Sequence, residues 1–292
     1  MTDAAISRSE HACDPLSDPR VSAALATPAR LFLGSAGTSY RTADLLRLRV
    51  DHALAKDALA AVVDVDHPAL REVAGRWGLI DVATQARSHR EYLLRPDLGR
   101  RLDADGVTRI RRTATRGADL QVVLGDGLSP EALAVSGPAV VAGLRAGAVG
   151  MGWSFATPVF VRRARVGVLN DIGVHTACRV AILLIGERPG LRTRRSLSAY
   201  LAFRPRAGDT DAERNLVCNI SPHGVSVRAA VERITSLMAD LVAAGASGFT
   251  VKERLGQADR AAGKPIRPGS GRTLRTGPEA RPPRTEIERE AE

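Results

Sequence analysis

The sequence predicts an α/β protein with a mainly parallel sheet and helices on both faces, preceded by a smaller helical domain. Three observations carry this. From Asp119 onward, short apolar runs of strand length alternate with helix-length amphipathic segments, the pattern of a sheet built from strand–helix–strand units. The run "AILLI" (181–185) is apolar at every position, as in a strand covered on both faces. Upstream, "YRTADLLRLRVDHALAKDALA" (40–60) places Leu45, Leu46, Leu48, Val50, Ala53, Leu54, Ala58 and Leu59 at helical spacing.

In order along the chain, residues 1–29 are polar, contain Pro15, Pro19 and Pro28, and are expected to be flexible. Residues 30–104 form the smaller, mainly helical domain. Its first helix takes Thr42 as N-cap, a polar-apolar segment follows over 68–88, and "YLLRPDLGRRL" (92–102) reads as a strand-like run, a Pro-Asp turn and a basic helix start. Residues 105–252 form the sheet domain. Its strand "DLQVVLG" leads through a Gly-rich turn into a helix with Ser129 as N-cap and Pro130 at its first position, extending to about Ala146. A strand around 158–166, a helix over "NDIGVHTACRV", the strand "AILLIG", a strand in "SLSAYLAF" and a strongly amphipathic helix over Val225–Ser247 complete it. Residues 253–292 are rich in Gly, Pro and charge and are expected to be a disordered basic tail.

Composition bounds the function. Of 292 residues, 44% are hydrophobic, 25% charged and only 3% aromatic, so the core must be aliphatic. No uninterrupted apolar stretch reaches membrane-spanning length and no secretory signal is evident, so a cytoplasmic protein without a membrane partner is expected. The net charge of +10 raises nucleic acid as a partner. No helix-turn-helix, zinc-finger or RNA-binding signature accompanies it, stacking aromatics are scarce, and nucleic acid is not the expected partner. A basic α/β nucleic-acid-associated protein, using the Arg-rich tail, stands as the alternative. Three distant cysteines, Cys13, Cys178 and Cys218, suggest neither a disulfide framework nor a zinc site, and the six histidines show no metal-ligand spacing.

In open α/β sheets, ligands bind beyond the carboxyl ends of the strands. Two strand ends here are Gly-rich turns, "LGDGLSPE" and "IGERPG". Neither fits GxGxxG or the phosphate-binding GxxxxGK[ST]. The Gly125-Asp126-Gly127 turn is either a tight strand–helix connection or an approach to a ligand through backbone N–H groups, with Asp126 disfavouring a phosphate. Glu187 either pairs with Arg188 or a nearby Arg, or accepts hydrogen bonds from amide or hydroxyl groups of a large polar ligand. No catalytic residue is identifiable, which suggests a subunit that completes another protein's site.

The blocks "GTSYRTADLLRLRVDHALAKDA", "YLLRPDLGRRL", "LQVVLGDGLSPEAL", "TPVFVRRARV", "ILLIGERPGL", "SLSAYLAFRPRAGDTDAERN" and "NISPHG", in this order, resemble the light (small) chain of ethanolamine ammonia-lyase over about residues 30–250. The resemblance implies a Rossmann-like domain and a role as small subunit of an adenosylcobalamin-dependent radical lyase. That enzyme converts ethanolamine to acetaldehyde and ammonia. It further implies a TIM-barrel large subunit as partner, a hexamer of heterodimers, and corrinoid held at the subunit interface, with cobalt inside the corrin and no protein metal ligand. In some bacteria the enzyme resides in a microcompartment. The family's corrinoid contacts fall on Val166 in "RARV", Glu187 in "GERPG", and Leu216, which stands in "RNLVCNI" where the family has cysteine. Cys218 lies two residues further, on the same strand face but displaced by ~6.6 Å.

Overall fold

The computed structural model describes residues 18–27, 29–190 and 193–253; the expectations for most of the N-terminal segment and for the basic tail beyond 253 lie outside these residues. The described chain begins with α1 (Pro19–Leu25), whose first turn is capped by the Asp18 carboxylate accepting from the Arg20 N–H. A two-stranded hairpin follows, β1 (Ser35–Ala36) and β2 (Ser39–Tyr40), then α2 (Thr42–Ala60). Thr42 is the first helical residue rather than the cap: Arg41 occupies the cap position and no side chain caps there. Only Ala58 of α2 is buried.

Helix α3 (Pro68–Trp77) starts where His67 Nδ1 accepts the Ala69 N–H and Pro68 supplies a preset first turn. It ends at Gly78, whose φ of 75° favours glycine. Strand β3 (Ile80–Ala83) comes next. It lies within the segment read as mainly helical, yet joins the same sheet as the strands that follow. Helix α4 (His89–Leu94) corrects the strand-like reading of Tyr92–Leu94: the Ser88 hydroxyl accepts from the Glu91 N–H and starts a helical turn, and Tyr92 is buried from it. A 3-10 turn at Leu98–Arg100 leads to α5 (Ala104–Thr113), capped by Asp103.

The remaining elements are β4 (Leu120–Gly125), α6 (Pro130–Gly150), β5 (Val159–Arg162), α7 (Val168–Thr176), β6 (Val180–Gly186), β7 (Leu197–Phe203), β8 (Asn215–Ile220) and α8 (Val227–Ala244). The sheet order is β3-β5-β4-β6-β7-β8. The first four strands run parallel, while β7 and β8 are antiparallel to their neighbours. The mainly parallel α/β fold is therefore present, with a physical reason for its antiparallel end. Only residues 187–196 separate β6 from β7, too few for the crossover of about a dozen or more that a parallel neighbour needs.

Helices cover both faces of this sheet. On one side α3, α6 and α8 bury Leu133, Val140, Leu144, Ile234 and Leu237 against Val122, Leu124, Ile182 and Leu201. On the other, α5 and α7 bury Ile110, Leu169 and Ile172 against Val123, Val161 and Leu183. Each such aliphatic side chain contributes about 1.5–3 kcal/mol of burial free energy. Helix α6 is long and apolar enough, by length and composition, to cross a membrane, but half of it is buried here and it packs on the sheet and α8. The second helix pair lies over β3 and β6. Beyond it, the same sheet face at β7 and β8 carries half-buried Tyr200 and exposed Leu216 and Cys218.

Candidate functional site

Strands β5, β4 and β6 are neighbours in the sheet, and the loops at their carboxyl ends converge. Arg165 and Val166 follow β5, Leu128 follows β4, Ile185 and Gly186 end β6, and Glu187 and Arg188 follow it. Together with Tyr92, Ser198 and Tyr200 they line a cavity of about 250 Å³. Antiparallel pairing brings β7 into it: Ser198 stands opposite Ile185. This is the position that open α/β sheets reserve for ligands.

The two Gly-rich turns meet backbone to backbone. The Leu128 N–H donates to the Gly186 carbonyl at 3.1 Å. A Cβ on Gly186 would lie 1.9 Å from the Ser129 carbonyl oxygen, and one on Gly127 would lie 2.5 Å from that of Gly186. The Gly125-Asp126-Gly127 turn is thus a tight connection. Its Gly127 N–H goes to Asp126 Oδ1 at 2.8 Å. Ser129 occupies the N-cap position of α6, with Pro130 first in the helix, as the sequence suggested; its hydroxyl makes no capping bond and donates instead to the Arg194 carbonyl at 2.6 Å. Asp126 also accepts the N–H groups of Arg163 at 2.7 Å and Ala164 at 2.9 Å. It thereby pins the loop that presents Arg165 and Val166, a loop that turns at Arg163 with φ of 58°. Burial pushes the Asp126 pKa up, and the backbone donors oppose that push by favouring the carboxylate.

Glu187 is held by two partners. Its Oε1 accepts from the Ser198 hydroxyl at 2.7 Å and from the Asn219 N–H at 2.8 Å, and its own N–H donates to the Ser196 carbonyl at 2.9 Å. Among the described residues no hydrogen bond is made to Oε2. The alternative of an ion pair with Arg188 is not realised; Arg188 is exposed and makes no ion pair among the described residues. Asn219 reaches Glu187 because the β7–β8 register shifts between Leu197 and Ala199, and Asn219 itself has φ of 56°. Such an irregularity re-aims a backbone N–H that a regular ladder would have used.

Val166 and Glu187 share the cavity wall. Leu216 does not line the cavity; it pairs directly across the sheet with Tyr200, which does, and it is 43% exposed. Cys218 is exposed on the same strand. Cys178 is buried, which pushes its thiol pKa up and makes it unreactive. Sequence reasoning did not single out Tyr92, Arg165, Ser198 or Tyr200. The Tyr92 hydroxyl donates to the Ala164 carbonyl at 3.0 Å, and burial raises its pKa. The Arg165 guanidinium lies 4.2 Å from the Tyr92 ring centroid. Among the described residues no group of three or more His, Cys, Asp or Glu side chains is placed to hold a metal ion.

Comparison with known proteins gives one consistent result. The family model of the ethanolamine ammonia-lyase light chain matches residues 17–252. The ethanolamine ammonia-lyase small subunit of Rhodopseudomonas palustris is 41% identical over 229 residues, covering 78% of this chain and 87% of that one. The corresponding subunit of Bradyrhizobium diazoefficiens is 42% identical over 244 residues, covering 80% and 90%. That of Listeria monocytogenes is 37% identical over 226 residues, covering 77% and 75%.

Proposed function

Because the chain belongs to the ethanolamine ammonia-lyase light-chain family, we propose that it binds and orients one edge of adenosylcobalamin for a TIM-barrel large subunit, the two assembling as a hexamer of heterodimers. The carrying observation is that Val166 and Glu187 line one cavity and Leu216 stands across from Tyr200 in its wall. Val166 and Glu187, far apart in sequence, meet where β5 and β6 end, and Leu216 lies on β8 beside the Tyr200 that completes the wall.

The residues suit a corrinoid edge. Glu187 Oε2 is free to accept from a peripheral amide or hydroxyl group. Val166, Ile185, Leu128 and the Tyr200 ring offer apolar surface to a flat macrocycle. Leu216 extends that surface along the sheet and keeps a backbone contact where the family has cysteine. At about 250 Å³ the cavity is smaller than the roughly 300–1,000 Å³ typical for drug-sized ligands. A corrinoid is larger still, so this chain grips a rim and the large subunit must enclose the rest.

When bound, adenosylcobalamin supplies the radical chemistry that converts ethanolamine to acetaldehyde and ammonia. The chain's own contribution is positional. Asp126 fixes the loop bearing Val166, Ser198 and Asn219 fix Glu187, and no side chain here is assigned an acid or base role.

Co-expression with a large subunit tests the reading. Acetaldehyde formation from ethanolamine should require adenosylcobalamin and this chain; equal activity when this chain is omitted overturns it. Glu187→Ala should raise the cobalamin Kd more than it slows turnover at saturating cofactor, and an unchanged Kd removes Glu187 from the site.

A further inference from the structure

Arg165 enters the same cavity from the loop after β5. Its position is set by the "YLLRPDLGRRL" segment. The Arg165 N–H donates to the Gly99 carbonyl at 2.8 Å, Nη2 donates to the Tyr92 carbonyl at 3.0 Å, and the guanidinium stacks on the Tyr92 ring. A guanidinium carries five N–H donors, and among the described residues only one is used. Nε is buried without a partner, and among the described residues no carboxylate pairs with Arg165. Buried donors are ordinarily satisfied, so each exception asks for an explanation. The side chain is already ordered by stacking, so little further conformational entropy is lost when a ligand engages it.

The cavity therefore holds a cation with spare donors and, in Glu187, a carboxylate with a spare acceptor oxygen. An anionic group would suit Arg165 and be repelled by Glu187. A cationic group would suffer the reverse. A primary carboxamide presents a carbonyl acceptor and N–H donors on one planar group, and satisfies both.

We propose that Arg165 and Glu187 jointly read one peripheral carboxamide of the corrinoid, Arg165 donating to its carbonyl oxygen and Glu187 accepting its N–H. This rests on the corrinoid reading above and extends it to a specificity-determining residue.

The probes are cobalamin and its monocarboxylic acids, in each of which one peripheral amide is hydrolysed. Each is titrated into the complex of the full chain with its large subunit, with Kd read from the visible spectrum. In the wild type, one acid isomer should bind more weakly than cobalamin by about tenfold, the scale of a hydrogen bond to a charged group. Glu187→Gln should invert that preference, because the carboxylate then meets Arg165 without repulsion. Adding Arg165→Met should abolish the inversion. Arg165→Gln, which removes the charge but keeps a polar stem, replaces Arg165→Met if the latter does not assemble. A purely structural Arg165 would weaken amide and acid equally when replaced; that result, or no inversion in Glu187→Gln, overturns the assignment. Failure of the corrinoid reading itself looks different: cobalamin and every isomer would then bind wild type and Glu187→Ala alike.

Discussion

The Glu187 carboxylate and the Ser198 hydroxyl meet at 2.7 Å across the β6–β7 pair. One oxygen is committed to this bond and to the Asn219 N–H, and the other makes no hydrogen bond among the described residues. Ser198 is a positioning residue, acting through Glu187. Ser198→Ala should raise the cobalamin Kd by a fewfold, because the Asn219 N–H still holds Oε1. Glu187→Ala should raise it tenfold or more, on the scale of a charge-assisted bond lost. The two should combine with less than additive effect, as expected for residues in one network. Equilibrium titration of the assembled complex measures all three.

Leu216 separates a backbone contact from a thiol contact. Its side chain is 43% exposed and lies opposite Tyr200. Leu216→Cys supplies the cysteine that the family resemblance implies here and should leave the cobalamin Kd within about twofold, because a small sulfur side chain keeps the surface apolar. Leu216→Asp places a charge on that surface and should weaken binding at least tenfold. Its exposure means the unfolding midpoint should change little, since substitutions at such positions usually fall within about ±0.5 kcal/mol. Kd and thermal denaturation together check it.

Gly186 has no room for a side chain. A Cβ there would lie 1.9 Å from the Ser129 carbonyl oxygen, and backbone on both sides cannot yield as a flexible side chain would. Gly186→Ala should destabilise the chain by at least the ~1–3 kcal/mol typical of overpacking and should disorder the turn that presents Glu187. Denaturant unfolding reads the first effect and the cobalamin Kd the second.

Much of the fold was legible because its signals are local. The apolar run at 181–185 and the amphipathic pattern near 225–247 each describe their own element. Strand β3 was missed because its four residues are too short to show a period beside the helix before them. Tyr92–Leu94 read as strand because three consecutive large apolar residues before a Pro-Asp turn show no helical period, and the Ser88 cap lies four residues upstream. In the site, Glu187 stood out as a carboxylate at a strand end, whereas Val166 and Leu216 came from family resemblance. Ser198 and Asn219 could not be foreseen. Their roles depend on the β7–β8 register shift, which is set by long-range pairing. Arg165 and Tyr92 are joined by stacking across 73 positions, and neither residue's own neighbours announce it.

His175 links stability to pH. It sits near the end of α7 beside Arg111 and Arg116. Burial, and then the Arg111 charge, lower its pKa below the ordinary 6.5, with Asp171 opposing them. The unfolded chain therefore binds the proton more readily than the folded one. Stability from this group is intact above 6.5 and declines as pH falls toward the folded-state value. His175→Gln removes the titration and should flatten that part of the stability–pH curve while leaving neutral-pH stability near wild type. Urea midpoints measured across the acid range check it.

Asp126 ties two strand ends together, and its loss should be felt in both fold and site. Its carboxylate accepts the Arg163 and Ala164 N–H groups, which otherwise have no acceptor in the tight turn. Asp126→Ala leaves both unpaired at about 1–3 kcal/mol each, so unfolding stability should drop by roughly 2–6 kcal/mol. The loop carrying Arg165 and Val166 should loosen, raising the cobalamin Kd. Asp126→Asn keeps one acceptor oxygen but turns the other position into a donor facing an N–H. It should recover part of the stability and less of the affinity, because one of the two loop anchors is still lost. If Asp126→Ala lowered stability with the Kd unchanged, the turn would be a fold element alone, and the placement of Val166 would have to depend on the Gly99 and Tyr92 contacts of Arg165.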